Sequence, residues 1–466
     1  MNDTRVTGTR TALAVMTTIF FMWGLITSLN DVLIPHLKSM FTLNYAEVML
    51  VQSTFFGAYF IMSLPSGKVV AHFGYRASII AGLIVTGIGA LLFLPAAQVQ
   101  SYPLFLFAFF VLASGITLLQ VAANPYVSLL GAARLASSRL NLAQALNSLG
   151  TTIGPKFGGL LILSTAVLGT AELAKLSPTA QAAYRLQQAH AVQGPYVGIA
   201  IVLLVLAVVV WLFRLPQLEN TAEADDSRHR FVDALRHSRV WFGMLAIFVY
   251  VGAEVSIGSF MINYLALPGI GHMSEARAAG FVSLYWGGAM VGRGIGWLLL
   301  MRVDTRKPLA LCAVIAVPLL LITLLTFNVV VVYLLRLDVV VAVCLILAML
   351  PSIDPRKLLA FNAVVAGLLV LTTMTTHGYA AMWSVVAIGL FNSIMFPNIF
   401  TLGIEKFGAL TGKVSSLLVM AIVGGAVIPL AQGALADQIG VQHAFVLPLL
   451  CYAYIVFYGL KGSRVE

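Results

Sequence analysis

The chain has 466 residues, of which 60% are hydrophobic and only 9% are charged, whereas roughly 25% of the residues in a soluble domain are charged. This composition excludes a soluble protein. The formal net charge of +10 does not indicate a nucleic-acid partner, because the 27 lysines and arginines are scattered over short connectors and form no basic face. The three cysteines have no metal-ligand spacing, so no metal or cofactor is expected.

Apolar runs of about 20 residues recur along the chain, which is the length that a helix needs to cross a hydrocarbon core of roughly 30 Å. The first six predicted spans cover residues 12–36, 46–66, 77–97, 102–127, 139–164 and 194–213. After a hydrophilic segment, six more cover residues 239–265, 276–301, 358–377, 380–404, 414–435 and 443–460. The sequence therefore predicts an all-α membrane protein with an N-terminal six-helix bundle (1–214), a linker (215–238) and a C-terminal six-helix bundle (239–466).

The distribution of positive charge predicts the orientation. With the N-terminus in the cytoplasm, most lysines and arginines fall in cytoplasmic connectors, as the positive-inside rule requires. The first apolar run continues far past the core of a signal peptide, so it is predicted to remain as an anchor. We therefore expect a multi-pass protein with both termini in the cytoplasm.

One stretch does not fit a count of twelve spans. Residues 308–351 are also largely apolar and are long enough for two short crossings. The segment that begins at Arg302 resembles the one that begins at Ser352, which indicates a local duplication. A single additional crossing would place Arg356 and Lys357 outside, so we expect a helical hairpin or a non-crossing insert.

The two halves of the chain resemble each other. The segment ANPYVSL, from Ala123, pairs with MFPNIFTL, from Met395, and the segment that begins at Gly150 pairs with the one that begins at Gly425. Repeated halves joined by a polar linker are typical of a transporter that rocks about a central site.

Five segments resemble the fucose permease family of the major facilitator superfamily, and more closely its bacterial glucose/galactose transporter branch. They are FFMWGLITSLNDVLIPHLK (Phe20 to Lys38), LQVAANPYV (Leu119 to Val127), SRLNLAQALNSLGTTIGPKFG (Ser138 to Gly158), YVGAEVSIGSF (Tyr250 to Phe260) and GLFNSIMFPNIFTLGIEKFG (Gly389 to Gly408). The resemblance implies the major facilitator fold, with two bundles around a central cavity, alternating access, and import of a glucose- or galactose-like hexose or an amino sugar with protons. It also implies a monomer in the bacterial cytoplasmic (inner) membrane that is not an enzyme.

Two carboxylates within the predicted spans are candidates for proton coupling, because such a charge costs roughly 2.5 to 3.5 kcal/mol on insertion scales. Asp31 lies in the outer half of the first span, beside Asn30, and the resemblance implies that this aspartate carries the proton. A carboxyl group that is partly shielded from water binds a proton more readily, which links protonation to opening of the cavity. The alternative is a structural acceptor for a neighbouring helix.

The second carboxylate, Glu254, lies near the middle of the seventh span. Here the sequence departs from fucose permease, which has Glu at the position matching Gln120 and Gln at the position matching Glu254. The second carboxylate of the cavity is therefore predicted to have moved to the C-terminal bundle, so that Asp31 and Glu254 act from opposite bundles. The alternative is a structural ion pair, for instance with Arg293.

Sugars are bound by hydrogen bonds to hydroxyl groups and by stacking on aromatic rings, so amides and rings are the expected lining. Gln144 and Asn147 share one helix face and match a motif whose amides contact sugar in the resembled family. Interhelical hydrogen bonding is the alternative for them, and an amide near a proline can satisfy a carbonyl that the kink frees. The candidate substrate-binding residues are Asn30, Gln120, Asn124, Gln144, Asn147, Trp286 and Asn392.

Four further residues are candidates for a conformational role. Gly67, Gly74 and Arg76 follow the second span and resemble a worn version of the loop signature of the superfamily, which implies that they hold helix ends together on the cytoplasmic side. Arg293 lies in the inner half of the eighth span. The alternative for it is a helix-end arginine whose charged group snorkels to the lipid headgroups.

Other functions have weaker support. The sequence has no P-loop, HExxH or paired CxxC motif, so ATP-driven transport and membrane enzymes have no chemical basis. A secondary transporter remains. The alternatives are sodium coupling at Asp31, an exporter with a more apolar cavity, and a non-transporting sugar sensor on the same fold, which is expected to carry a long signalling tail.

Overall fold

The computed structural model describes residues 2–41, 45–161, 176–213, 215–216, 230–273, 275–300 and 354–464. Every regular element in these ranges is helical, and no strand occurs in them. The insert predicted at 308–351 and most of the predicted linker lie outside the described residues. Asn30 and Asp31 lie in a helix, but their side chains are outside what the structure describes.

Five helices are described in the N-terminal half. They are α1 (Asn2–Phe41), α2 (Tyr45–Val99), α3 (Tyr102–Leu129), α4 (Ala136–Leu161) and α5 (Pro178–Leu212). The second and third predicted spans both belong to α2. They are separated at Gly74, whose φ of 74° and ψ of 173° break the helical path and suit glycine because it has no Cβ.

Local sequence signals explain where α3 and α5 begin. Ser101 has an extended backbone before α3, and Pro103 follows in its first turn. Ser177 accepts a hydrogen bond from the backbone N–H of Ala180 at 3.3 Å, and Pro178 occupies the first helical position, as is common at helix starts. The helix α5 therefore begins well before residue 194, the predicted start of the sixth span, because a capped polar segment precedes its apolar part.

The C-terminal half contains several helices that are interrupted within one span. The short helix α6 (Phe231–Leu235) lies in the linker, and the helices described after it are α7 (Ser238–Ala266), α8 (Glu275–Leu300), α9 (Pro355–Thr375), α10 (Gly378–Asn392), α11 (Met395–Ile404), α12 (Thr411–Met420), α13 (Gly424–Ile439) and α14 (Val446–Leu460). The tenth predicted span consists of α10 and α11. The eleventh consists of α12 and α13, with a 3₁₀ turn at Ala421–Val423 between them. Interrupted helices are typical of transporter binding sites.

The helices are long and apolar enough for a membrane. In the part of the chain that the structure describes, nine segments meet this requirement by length and composition. One of them, Leu50–Val99, has 50 residues, which is enough for two crossings. The predicted all-α fold is confirmed, and the chain is a multi-pass membrane protein.

Glycines let α8 approach α10 closely, and α4 approach α1. A Cβ on Gly292 of α8 would overlap the carbonyl group of Leu390, and one on Gly389 of α10 would overlap that of Tyr285. A Cβ on Gly150 of α4 would likewise overlap the backbone of α1. Small residues are a common means of helix association in membranes, because they let backbones approach. These contacts fix α8 against α10 and α4 against α1.

The two halves of the chain meet at one side of the molecule, which we call the linker side because α6 lies there. At this side Phe231 of α6 lies against Gly67 of α2. The hydrogen bonds that join the halves include Ser137 Oγ to Thr401 Oγ1 (2.6 Å), Ser138 Oγ to the Trp297 carbonyl (2.9 Å) and Asn141 Nδ2 to Asn398 Oδ1 (3.2 Å). They connect the beginning of α4 with the C-terminal end of α8 and with α11. The described conformation is therefore closed on the linker side.

Candidate functional site

Glu254 is a buried carboxylate in the middle of α7, with 9% of the residue exposed. Tyr250, one helical turn earlier, donates its hydroxyl to Glu254 Oε1 at 2.6 Å, since residues four apart share a helix face. Arg293 of α8 places Nη2 3.6 Å from the same oxygen. The carboxylate is therefore both hydrogen-bonded and paired with a positive charge, which offsets the cost of burying it.

Arg293 is also buried, with 7% of the residue exposed. Its Nε donates to the Ser393 carbonyl at 3.0 Å, and its Nη1 donates to Ser148 Oγ of α4. Because α4 belongs to the N-terminal half, one guanidinium group connects Glu254 to the opposite half of the chain. The alternative in which Arg293 snorkels to the headgroups is wrong for this conformation, since the side chain points into the protein.

A proline explains why the Ser393 carbonyl is available to Arg293. In a continuous helix this carbonyl accepts from the backbone N–H four residues later. That residue is Pro397, which has no N–H. The free carbonyl oxygen between α10 and α11 accepts from the Arg293 guanidinium, and Asn392 does not fill this role.

Asn392 instead links two tyrosines beside Glu254 and is fully buried. The Tyr452 hydroxyl donates to Asn392 Oδ1 at 2.6 Å, and Asn392 Nδ2 donates to the Tyr285 hydroxyl at 2.8 Å. Tyr285 donates in turn to the backbone carbonyl of Glu254 at 3.1 Å. The amide is therefore occupied by protein groups in this conformation, and its contact with a substrate stays a prediction.

The N-terminal half has a corresponding proline, and a different side chain donates to the carbonyl that it frees. Pro125 leaves the Val121 carbonyl without its helical partner, and Ser415 Oγ of α12 donates to that carbonyl at 3.0 Å. This hydrogen bond also joins the two halves. Asn124, beside the proline, is fully buried, and neither polar atom of its amide has a hydrogen-bond partner, so it does not satisfy the freed carbonyl.

Three other predicted amides of the N-terminal half, Gln120, Gln144 and Asn147, are buried as well. Gln120 Nε2 donates to the Tyr59 hydroxyl at 2.7 Å. Asn147 Nδ2 donates to the Phe20 carbonyl at 3.0 Å, so it makes the interhelical hydrogen bond that was the alternative to a sugar contact. Gln144 is 4% exposed. The substrate contacts of all three amides stay predictions.

The remaining site predictions lie at the margin of this network or outside it. Trp286 is half-buried, and its ring lies against Gly258 with its centroid 5.2 Å from that of Tyr285. It therefore packs beside the tyrosines that support Glu254. The side chains of Asn30 and Asp31 lie outside the described residues, so their roles stay predictions.

Gly67, Gly74 and Arg76 lie at the linker side, although they do not form one contact. A Cβ on Gly67 would overlap Ser416 of α12, so this glycine lets the two halves approach. Gly74 provides the break in α2. Arg76 donates to the Trp211 carbonyl in the last turn of α5, where a positive charge is favourable, and this contact lies within the N-terminal half.

The structure brings together Glu254, Arg293 and Asn392 of the predicted site, whereas Asn147 is hydrogen-bonded to α1. Gln120 and Asn124 are bonded or packed elsewhere on α3. Sequence reasoning missed Ser148, Tyr250, Tyr285, Ser393 and Tyr452. The spacing from Glu254 could have found Tyr250, and the position four residues before Pro397 could have found Ser393. The other three come from distant segments and have no local signal.

A match to a family model shows which protein family the chain belongs to. The model described as Major Facilitator Superfamily matches residues 13–353, which is more than half of the chain. The chain belongs to the major facilitator superfamily. Its members are transporters, so the prediction that the protein is not an enzyme is confirmed.

The similarity to other proteins of this superfamily covers almost the whole chain. The glucose/galactose transporter of Brucella abortus is 46% identical over 454 residues, which cover 97% of this chain and 94% of that protein. The L-fucose-proton symporter of Escherichia coli is 33% identical and covers 97% of this chain and 93% of that protein. A solved structure of the transporter FucP in the outward conformation has a TM-score of 0.79 and 30% identity, covering 97% of this chain and 99% of that one. The predicted family and fold are confirmed.

Proposed function

We propose that the protein imports a monosaccharide together with protons, by alternating access, as a monomer in the bacterial inner membrane. The substrate is a glucose- or galactose-like hexose or an amino sugar. The observation that carries this proposal is the 46% identity, over 97% of the chain, to a protein named glucose/galactose transporter. The similarity to a protein named L-fucose-proton symporter supports the coupling to protons.

In this proposal the two halves act as bundles that rock against each other. Residues 1–214 and 239–466 form the bundles, and the linker 215–238 lies in the cytoplasm with both termini. The linker side is then the cytoplasmic side, and the described conformation is closed on that side. The likeness to a structure solved in the outward conformation supports this assignment.

Proton coupling is assigned to two carboxylates on opposite bundles. Asp31 is proposed from its position in the SLND segment of α1, and Glu254 from its burial in the middle of α7. A carboxylate at that depth is costly unless it is paired or protonated, and Glu254 has both a charge partner and a tyrosine donor. Gln144 and Asn147 of α4 are proposed to contact the sugar when the amides turn to the cavity.

Uptake of labelled sugars tests this proposal. Cells that lack their own carriers are supplied with glucose, galactose, N-acetylglucosamine or fucose, with and without a protonophore and with sodium replaced by choline. We expect one sugar to accumulate, the protonophore to abolish accumulation, and choline to change nothing. Asp31→Asn should keep sugar exchange but lose accumulation. Uptake that needs sodium, or no uptake of any of the four sugars, contradicts the proposal.

A further inference from the structure

In each half, at the contact between the halves, a proline leaves one helix carbonyl without its backbone N–H partner. Pro125 in α3 frees the Val121 carbonyl, and Pro397 in α11 frees that of Ser393. Each free carbonyl accepts a hydrogen bond from a side chain of another helix, Ser415 in the first case and Arg293 in the second. Both donors take part in contacts that join the halves near the linker side.

The two contacts differ in charge. Ser415 crosses between the halves as a neutral hydroxyl. Arg293 Nε donates to the free Ser393 carbonyl in its own half of the chain, and Arg293 Nη1 donates to Ser148 Oγ in the other half. Its third nitrogen, Nη2, faces Glu254 Oε1 at 3.6 Å. The crossing hydrogen bond of Arg293 is therefore made by a group whose position depends on a nearby carboxylate.

The surroundings of Glu254 show what else acts on its charge. Among the described side chains, the titratable groups that face it are Tyr250 on its own helix, Arg293 and Tyr285 on α8, and Tyr452 on α14. Arg293 carries the positive charge in this set. At the linker-side end of α7, Arg239 pairs with Glu405 at 2.9 Å. Loss of the Glu254 charge therefore leaves the buried Arg293 guanidinium without its acidic partner, which is unfavourable.

We infer that Arg293 is a latch between the two halves, which holds the linker side closed through Ser148 for as long as Glu254 is ionised. When Glu254 takes up a proton, the guanidinium group leaves its site for a more polar position and releases Ser148. The Ser415–Val121 hydrogen bond is the neutral counterpart, which adds to closure without depending on protonation. This inference rests on the proposed proton coupling and assigns positioning roles to Arg293 and Ser148.

A distance measurement across the linker side tests the latch without transport. The native cysteines are replaced by alanine, and spin labels are attached at Ala133→Cys and Lys357→Cys, two exposed positions on opposite halves. The fraction of molecules with the long distance is then recorded between pH 5 and pH 8 in lipid nanodiscs. We expect this open fraction to rise as the pH falls.

Two serine variants supply the contrast. Ser415→Ala and Ser148→Ala each remove one hydroxyl at the contact between the halves. We expect Ser415→Ala to raise the open fraction by about fivefold at every pH and to keep its pH response. We expect Ser148→Ala to raise the open fraction by about tenfold, because the hydrogen bond that it removes has a charged donor. This variant should also lose the part of the pH response that Glu254→Gln loses.

The outcomes separate the latch from the proposed function. The latch is wrong if the native protein shows no pH response, if Glu254→Gln leaves that response unchanged, or if Ser148→Ala keeps the response as Ser415→Ala does. If the distances change as expected but no sugar is taken up, the latch stands and the sugar assignment fails. If sugar uptake is proton-driven but the distances do not respond through Ser148, the proposed function stands and the latch fails.

Discussion

The two proline breaks place the same free carbonyl in both halves of the molecule, yet different donors satisfy it. At Pro125 the donor is the neutral Ser415, which comes directly from the opposite half. At Pro397 it is Arg293, a charged group of the same half that reaches across to Ser148. An internal repeat can therefore preserve a backbone feature while the side chains give a charge-dependent contact to one copy. The comparison suggests that the contact at Pro397 responds to protonation of Glu254 and that the contact at Pro125 does not.

We expect the largest effect from removing the Glu254–Arg293 ion pair. Glu254→Gln leaves Arg293 buried without an acidic partner, which costs roughly 3 to 5 kcal/mol for a buried pair. We expect the variant to have the largest loss of thermal stability in detergent among the changes considered. The double variant Glu254→Gln with Arg293→Gln should recover much of this loss. A double variant no more stable than Glu254→Gln contradicts the ion pair.

A second effect compares the two amides that lie near the prolines. Asn392→Leu removes the partner of the Tyr452 and Tyr285 hydroxyls, and unsatisfied buried polar groups cost about 1 to 3 kcal/mol each. Asn124→Leu removes an amide whose polar atoms have no partner, so we expect it to be neutral or stabilising. Thermal unfolding of the two variants measures the difference. Equal losses of stability would show that Asn124 makes contacts of similar value.

The smallest expected effect concerns the prolines themselves. Pro397→Ala supplies a backbone N–H that competes with Arg293 for the Ser393 carbonyl, and a net hydrogen bond is worth about 1 kcal/mol. We expect this variant to reduce the pH response of linker-side opening. Pro125→Ala, the matched control, should leave the pH response unchanged because it competes only with a neutral donor. A reduced response in both variants would mean that helix straightening is responsible.

The fold was largely predictable because apolar runs of spanning length record where helices must be. The residues between spans were less predictable. A hydropathy pattern places the sixth span at 194, whereas α5 begins at Pro178, because a helix cap and a polar segment precede the apolar run. The break between α10 and α11 likewise lies within one continuous apolar run.

The site was predictable only in part, and the reason is the distance along the chain between its members. Glu254 stands out because a charge inside a span is rare, and an ion pair with Arg293 was one of the alternatives. Its contact with Ser148 joins residues from different halves, and no local pattern marks Ser148 among the other serines of α4. Asn392 and Asn147 looked alike as amides in spans, and only their neighbours show that each is bonded to protein groups in this conformation.

Proton movement during sugar entry shows directly whether the two are transported together. Proteoliposomes in a weakly buffered medium are mixed with glucose, galactose or N-acetylglucosamine while an electrode records the external pH, and the same vesicles report labelled sugar uptake. We expect that a sugar which enters also makes the medium more alkaline, and that Asp31→Asn lets the sugar enter without the pH change. Entry of sugar into vesicles of the native protein with no change in external pH would contradict proton-coupled import.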